Sequence, residues 1–121
     1  MSPFLRYTLV GAMATAVHWA LLALCVEAAG MAPWLASGLG AGVGAQTAFA
    51  GNRRFTFAHR GSLWPAWWRF MGTAGLGALL GMAIVAGGVA TGLHYLLAQA
   101  LATLCVLLLG YAVNRVWAFA P

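Results

Sequence analysis

Charge is what this sequence has least of. Lysine and aspartate are absent, glutamate occurs once, as Glu27, and only 6% of the 121 residues are charged, whereas a soluble domain carries about 25%. With 64% hydrophobic residues the chain has too little polar surface to face water, which excludes a soluble globular domain and makes it an integral membrane protein. A single acid leaves no carboxylate pair for acid-base chemistry. There is no Gly-x-Ser-x-Gly nucleophile turn and no Gly-Lys-Ser/Thr phosphate loop. His18, His59 and His94 fall at different depths, so no zinc cluster forms within one chain. The chain is therefore not expected to be an enzyme or to hold a metal or cofactor. Two cysteines cannot build a disulfide framework, and Cys25 and Cys105 lie at different depths as small packing residues. The net charge of +5 does not point to nucleic acid, because the arginines end apolar runs, where anionic lipid headgroups are the nearer partner.

What is present is a doubled motif. Phe49-Ala50-Gly51-Asn52-Arg53-Arg54-Phe55-Thr56-Phe57 returns as Tyr111-Ala112-Val113-Asn114-Arg115-Val116-Trp117-Ala118-Phe119. A shift of 62 residues superposes them, keeping Ala, Asn, Arg and the last Phe. The same shift carries Gly30 to Gly92 and Leu35, Ala36 and Leu39 to Leu97, Ala98 and Leu101, while one residue of slippage sets Arg6-Tyr7 on Arg69-Phe70. The chain reads as one domain over 1–121, built from two copies of a helical hairpin at about 4–57 and about 68–119.

Four apolar runs fit this unit, giving an all-α membrane protein. The first, Tyr7 to Ala29, is long enough to cross a hydrocarbon core of about 30 Å. It is longer than the roughly 7–15 residues of a signal-peptide core, so the N-terminus is expected to be retained. Gly30-Met31-Ala32-Pro33 ends it, because Gly suits the position after a helix and Pro the first turn of the next. The second run, Trp34 to Gly51, carries Gly38, Gly40, Gly42 and Gly44, which allow another backbone to approach. Asn52 to Trp68 reads as the one real loop, with Trp64, Trp67 and Trp68 as interfacial anchors. The third run is Phe70 to Gly92, with Gly77/Gly81 and Gly88/Gly92 as packing faces. After a short turn at Leu93-His94, the fourth is Tyr95 to Val113.

Four crossings put all six arginines on one side and none on the other. By the positive-inside rule both termini and the central loop are cytoplasmic in a multi-pass inner-membrane protein. An even number of spans in each copy gives the two copies the same orientation, a parallel duplication about an axis along the membrane normal. That symmetry should gather Arg6, Arg53, Arg69 and Arg115 at one cytoplasmic mouth, with Asn52 and Asn114 beside them. Guanidinium pairs bidentately with phosphate, so these residues are candidates to bind a lipid phosphate. The plain alternative is that the arginines are positive-inside determinants touching bulk lipid phosphates. His18, mid-helix and eleven positions from Tyr7, Glu27 near the outer boundary and Gln46 are candidates for a polar path. Each has a plain alternative: His18 bonded to Thr15 or to another helix, Glu27 reaching water, and Gln46, Thr47, Gln99 and Thr103 making interhelical bonds.

Arg6-Tyr7-x-x-Val10-Gly11, Glu27-x-x-Gly30 and the two Asn-Arg-x-aromatic-x-Phe motifs resemble the GtrA-like family of small four-span membrane proteins, over essentially the whole chain. The resemblance implies a role in cell-surface polysaccharide or teichoic-acid glycosylation. Its members move polyprenyl-phosphate-linked sugars across the membrane or assist the glycosyltransferases that make them. The second copy departs by placing Val116 and Val89 where Arg54 and Glu27 stand in the first, so a site need not be symmetric. The expected function is translocation of a polyprenyl-phosphate sugar through a lateral groove or an oligomer. A non-transporting scaffold for a glycosyltransferase is the alternative. A small multidrug exporter would place its carboxylate deeper in the first helix than Glu27 and would show weaker charge bias.

Overall fold

The computed structural model describes residues 1–56 and 63–113, with helices α1 (Pro3–Glu27), α2 (Pro33–Gly51), α3 (Leu63–Ala90) and α4 (Tyr95–Val113). A π-helical segment, Asn52–Thr56, prolongs α2. Each boundary has a local cause. The Ser2 hydroxyl accepts from the Leu5 N–H at 3.2 Å and caps α1. Gly30 (φ +66°) and Gly92 (φ +97°), 62 residues apart, take the left-handed conformation that ends α1 and α3. The third helix starts seven residues before the expected Phe70, because Pro65 falls in its first turn, where N–H groups have no intrahelical acceptor to lose. The expected loop over Asn52–Trp68 is thus shortened at both ends, and Trp64, Trp67, Trp68 and Arg69 ride on a helix.

Leu5–Glu27 and Trp64–Ala90 are each long and apolar enough to cross a membrane, with mean hydropathies of 2.0 and 1.8, and Tyr95–Leu109 is a shorter apolar stretch. The glycine-rich α2 is less apolar, and its position explains why that is tolerated: it packs against α1 on one side and α3 on the other. Leu97, Leu101, Leu104, Leu107 and Leu108 of α4 are exposed, a surface suited to lipid tails and not to water. The molecule is a four-helix membrane protein.

Consecutive helices pack side by side, and α2 comes closest to α1 through its glycines. A Cβ on Gly40 would lie 2.6 Å from the His18 ring and 2.7 Å from the His18 carbonyl; one on Gly44 would lie 3.0 Å from the Ala14 carbonyl. Gly51 meets Val10 in the same way, at 2.7 Å. The remaining glycines divide. Gly38 faces Met82 of α3, whereas Gly42 faces open space. Gly88 abuts Ala98, but Gly92 is the turn residue, so the two do not form one packing face. Two small cores result, Leu22–Ala36–Tyr95 and Val85–Ala98–Ala102. Both lie toward the end that carries Gly30 and Gly92, the turn end; the opposite end carries the described arginines, Arg6, Arg53, Arg54 and Arg69.

Gly40→Ala and Gly42→Ala should separate packing from propensity. The first puts a methyl against backbone that cannot yield and should cost about 1–3 kcal/mol by overpacking. The second gains up to about 1 kcal/mol of helix propensity. Thermal unfolding in one detergent, followed by circular dichroism, should rank Gly40→Ala below the unsubstituted protein and Gly42→Ala level with it or above.

Candidate functional site

A cavity of about 390 Å³ lies between all four helices. Small residues make the room: Gly44 and Ala45 from α2, Gly77, Ala78 and Gly81 from α3, Ala102 from α4. Its polar lining consists of Thr15, His18, Ser37, Thr73, Gln99 and Thr103. Along the bundle it runs from Ser37 and Gln99 toward the arginine end, as far as Ala48 and Phe70. Helices α1 and α4 do not pack along their length. At the turn end they share a core through Leu22 and Tyr95, and among the described residues their sparse packing elsewhere leaves a seam beside the cavity.

The turn end of the cavity is closed by hydrogen bonds. Ser37 donates to the Gln99 side-chain carbonyl at 2.6 Å, and the Gln99 amide donates to Thr103 at 3.2 Å. Ser37 and Gln99 are each 2% exposed. They are 62 residues apart, the spacing that superposes the two motifs. Beyond them, the Tyr95 hydroxyl donates to Glu27 Oε1 at 2.8 Å, tying the last residue of α1 to the first of α4. His18 lies beside this roof, against the Ser37 backbone. Its Nε2 is buried and makes no hydrogen bond to any described residue.

At the arginine end, the Arg6 guanidinium donates to the Phe55 carbonyl at 3.3 Å, locking the start of α1 to the π-helical segment. Asn52 is buried there, at 8% exposure. Arg53 is half-buried, with an Nε that bonds to no described residue, and Arg54 and Phe55 are exposed. The extra residue in a π turn re-aims the side chains that follow, so this segment does not present them as a continued α2 would. Arg69 is exposed on the second turn of α3. Trp64, Trp67 and Trp68 pack on one another with ring centroids 5.0–5.7 Å apart.

The sequence-derived candidates therefore separate into groups. Arg6 joins the Asn52–Arg53 segment directly, and His18 lines the cavity. Glu27 stands above the roof, bonded to Tyr95. Gln46 does not line the cavity: it accepts from Trp67 Nε1 at 3.0 Å and donates to Met71 at 3.1 Å, fastening α2 to α3. Thr47 bonds to the Val43 carbonyl of its own helix rather than to a neighbouring one. Asn114 and Arg115 lie outside the described residues, as does His59. Ser37 and Tyr95 are the residues that sequence reading missed. The 62-residue shift carries Ser37 onto Gln99 and was the one available signal. Nothing in the sequence pairs Tyr95 with Glu27. Among the described residues no three His, Cys, Asp or Glu side chains gather in a metal-binding group.

Comparison with known proteins agrees with this architecture. Residues 6–119 match the family described as GtrA/DPMS, transmembrane domain. Two curated relatives are the bactoprenol-linked glucose translocases of Shigella phages SfII and SfV, each 37% identical over 54 residues. Those matches cover 45% of this chain and 45% of each relative, so the alignment spans less than half the length of the curated proteins. No solved structure matches. With a family match over nearly its whole length, the chain belongs to the GtrA/DPMS transmembrane domain family.

Proposed function

We propose that this protein carries a polyprenyl-phosphate-linked sugar across the membrane for cell-surface glycosylation, acting as a transporter and not as a catalyst. The observation that carries the reading is the four-helix cavity, which carries polar side chains along its length and runs toward the end that bears Arg6, Arg53 and Arg69. Sugar hydroxyls left without partners in hydrocarbon cost several kcal/mol each, so a headgroup needs an enclosed polar path. A lipid phosphate needs cationic donors at the interface. The seam between α1 and α4 leaves room for a polyprenyl tail to remain in lipid while its headgroup is enclosed. That the phage relatives are bactoprenol-linked glucose translocases supports a lipid-linked hexose as the cargo class.

In this reading the arginine end is cytoplasmic, and all four helices cross. Arg53, Arg6 and Arg69, with Asn52 and with Asn114 and Arg115 of the second motif, capture the phosphate. His18 and Glu27 belong to the path of the sugar. The two hairpins are copies of one unit, a reading supported by the left-handed glycines and the buried polar pair that both fall at the 62-residue spacing. The glycosyltransferase that loads the lipid is the expected neighbour in the membrane.

Cysteines placed at Met31 and at Ala58, in a background without Cys25 and Cys105, test the topology. An impermeant thiol reagent added to intact cells should label only position 31; labelling of position 58 from outside would reverse the orientation or break the four-span arrangement. For the phosphate site, Arg53→Ala and Arg115→Ala should weaken binding of a polyprenyl phosphate more than Arg60→Ala does. Loss of a charge-assisted bond of ~1.5–3 kcal/mol corresponds to roughly tenfold to a hundredfold in affinity. Equal binding by all three variants would reduce these arginines to topology signals. Transport itself is read in liposomes holding only this protein, with a reagent confined to one side. The protein should speed exchange of the glycosylated lipid between leaflets, and His18→Leu should slow it. Protein that moves no such lipid, over several sugars and with or without a proton gradient, would leave the scaffold role instead.

A further inference from the structure

We infer that Ser37 and Gln99 form a substrate-operated roof: the pair recognises the hydroxyls of the sugar headgroup and releases its own bond only when a headgroup supplies replacements. This inference rests on the carrier reading and assigns to it the residues that couple recognition to passage.

Geometry carries the argument. The Ser37–Gln99 bond spans α2 and α4 and closes the cavity on the side away from the arginines. Any headgroup that enters from the arginine end must pass these two residues to leave at the turn end. In their apolar surroundings, Ala36 and Ala98 being buried beside them in the chain, separating the pair would leave a hydroxyl donor and an amide acceptor without partners. Such groups are costly to strand, far more so than the bond is stabilising. An empty carrier is therefore held shut. A headgroup bearing several hydroxyls offers both an acceptor for the Ser37 O–H and a donor for the Gln99 carbonyl, so the exchange conserves hydrogen bonds and the opening cost falls. Thr103 continues the chain through its bond from the Gln99 amide, and the buried His18 Nε2 next to the roof supplies one further bond to a hydroxyl once the helices part. A bare polyprenyl phosphate has no sugar hydroxyls and does not perform the exchange.

The choice of a hydroxylated cargo, and not an apolar one, follows from the same pair. An apolar drug would strand both groups on opening the roof, whereas a hexose satisfies them. Glu27 and Tyr95 stand one layer farther out and must also separate, but Glu27 is exposed at the turn end, where water can replace its partner. Selectivity therefore lies at the Ser37–Gln99 layer.

The test replaces the pair with apolar residues of similar volume, Ser37→Ala with Gln99→Leu. Removing both partners of a buried pair leaves neither stranded, and Thr103 can turn to a carbonyl of its own helix, so the fold should survive. A thermal midpoint equal to that of the unsubstituted protein, and unchanged binding of polyprenyl phosphate, verify this. In protein-only liposomes, exchange of polyprenyl-phosphate glucose should slow by about tenfold or more, and the preference of the unsubstituted protein for the glucosylated lipid over bare polyprenyl phosphate should vanish. A double variant that moves the glucosylated lipid as fast as the unsubstituted protein would overturn the roof. So would slowing of both lipids by the same factor, which marks a purely structural role. An unsubstituted protein that moves neither lipid would overturn the carrier reading, and the roof with it.

Discussion

The close approach of α1 to α2 is the constraint on which the rest of this structure depends. Gly40 and Gly44 let the backbone of α1 near Ala14 and His18 come against α2 with no side chain between. Lipid tails are as apolar as leucine, so helices in a bilayer are held by packing and internal bonds and not by exclusion from water. With α1 pressed against α2 and α3 on the other side, α4 meets α1 among the described residues at the turn end. The seam and the cavity beneath the roof are consequences of that arrangement. A bulky residue at Gly40 would thus displace His18, the roof and the cavity wall together.

Polar groups are placed by the same rule that makes the helices. In hydrocarbon backbone donors and acceptors must find protein partners, and Thr47 and Thr73 bond within their own helices while Thr91 bonds back to the end of α3. Ser37, Gln99, Tyr95 and Glu27 instead bond between helices. These interhelical bonds lie at and above the closed end of the cavity, whereas charge is concentrated at the other end. A molecule with an anionic group and a hydroxylated group would find complementary chemistry at two depths of one bundle. That polarity along the bundle axis links the fold to the proposed carriage of a phosphate-linked sugar.

Much of this was legible beforehand because it depends on composition and spacing. Scarcity of charge and apolar runs of the right length dictate membrane helices, and positive-φ glycines at Gly30 and Gly92 follow from their place after such runs. The family was legible in the doubled Asn-Arg motif. The start of α3 was misplaced because polar residues and Pro65 suggest a loop, yet a proline in a first turn removes no helical bond. Gln46 looked like a path residue because an amide in an apolar run has to bond somewhere; sequence alone does not say which side of α2 faces α3 and the Trp67 indole.

The sequence by itself determined the membrane class, the number of helices and the turn glycines, since each follows from local composition and from transfer of side chains between water and lipid. Only the tertiary structure decided which polar residues meet. The Ser37–Gln99 and Glu27–Tyr95 bonds join positions 62 and 68 residues apart. Their partnership depends on the rotation of each helix about its axis. In a bundle whose helices are apolar on nearly every face, no amphipathic stripe records that rotation; it is set by where glycines and alanines let the backbones touch.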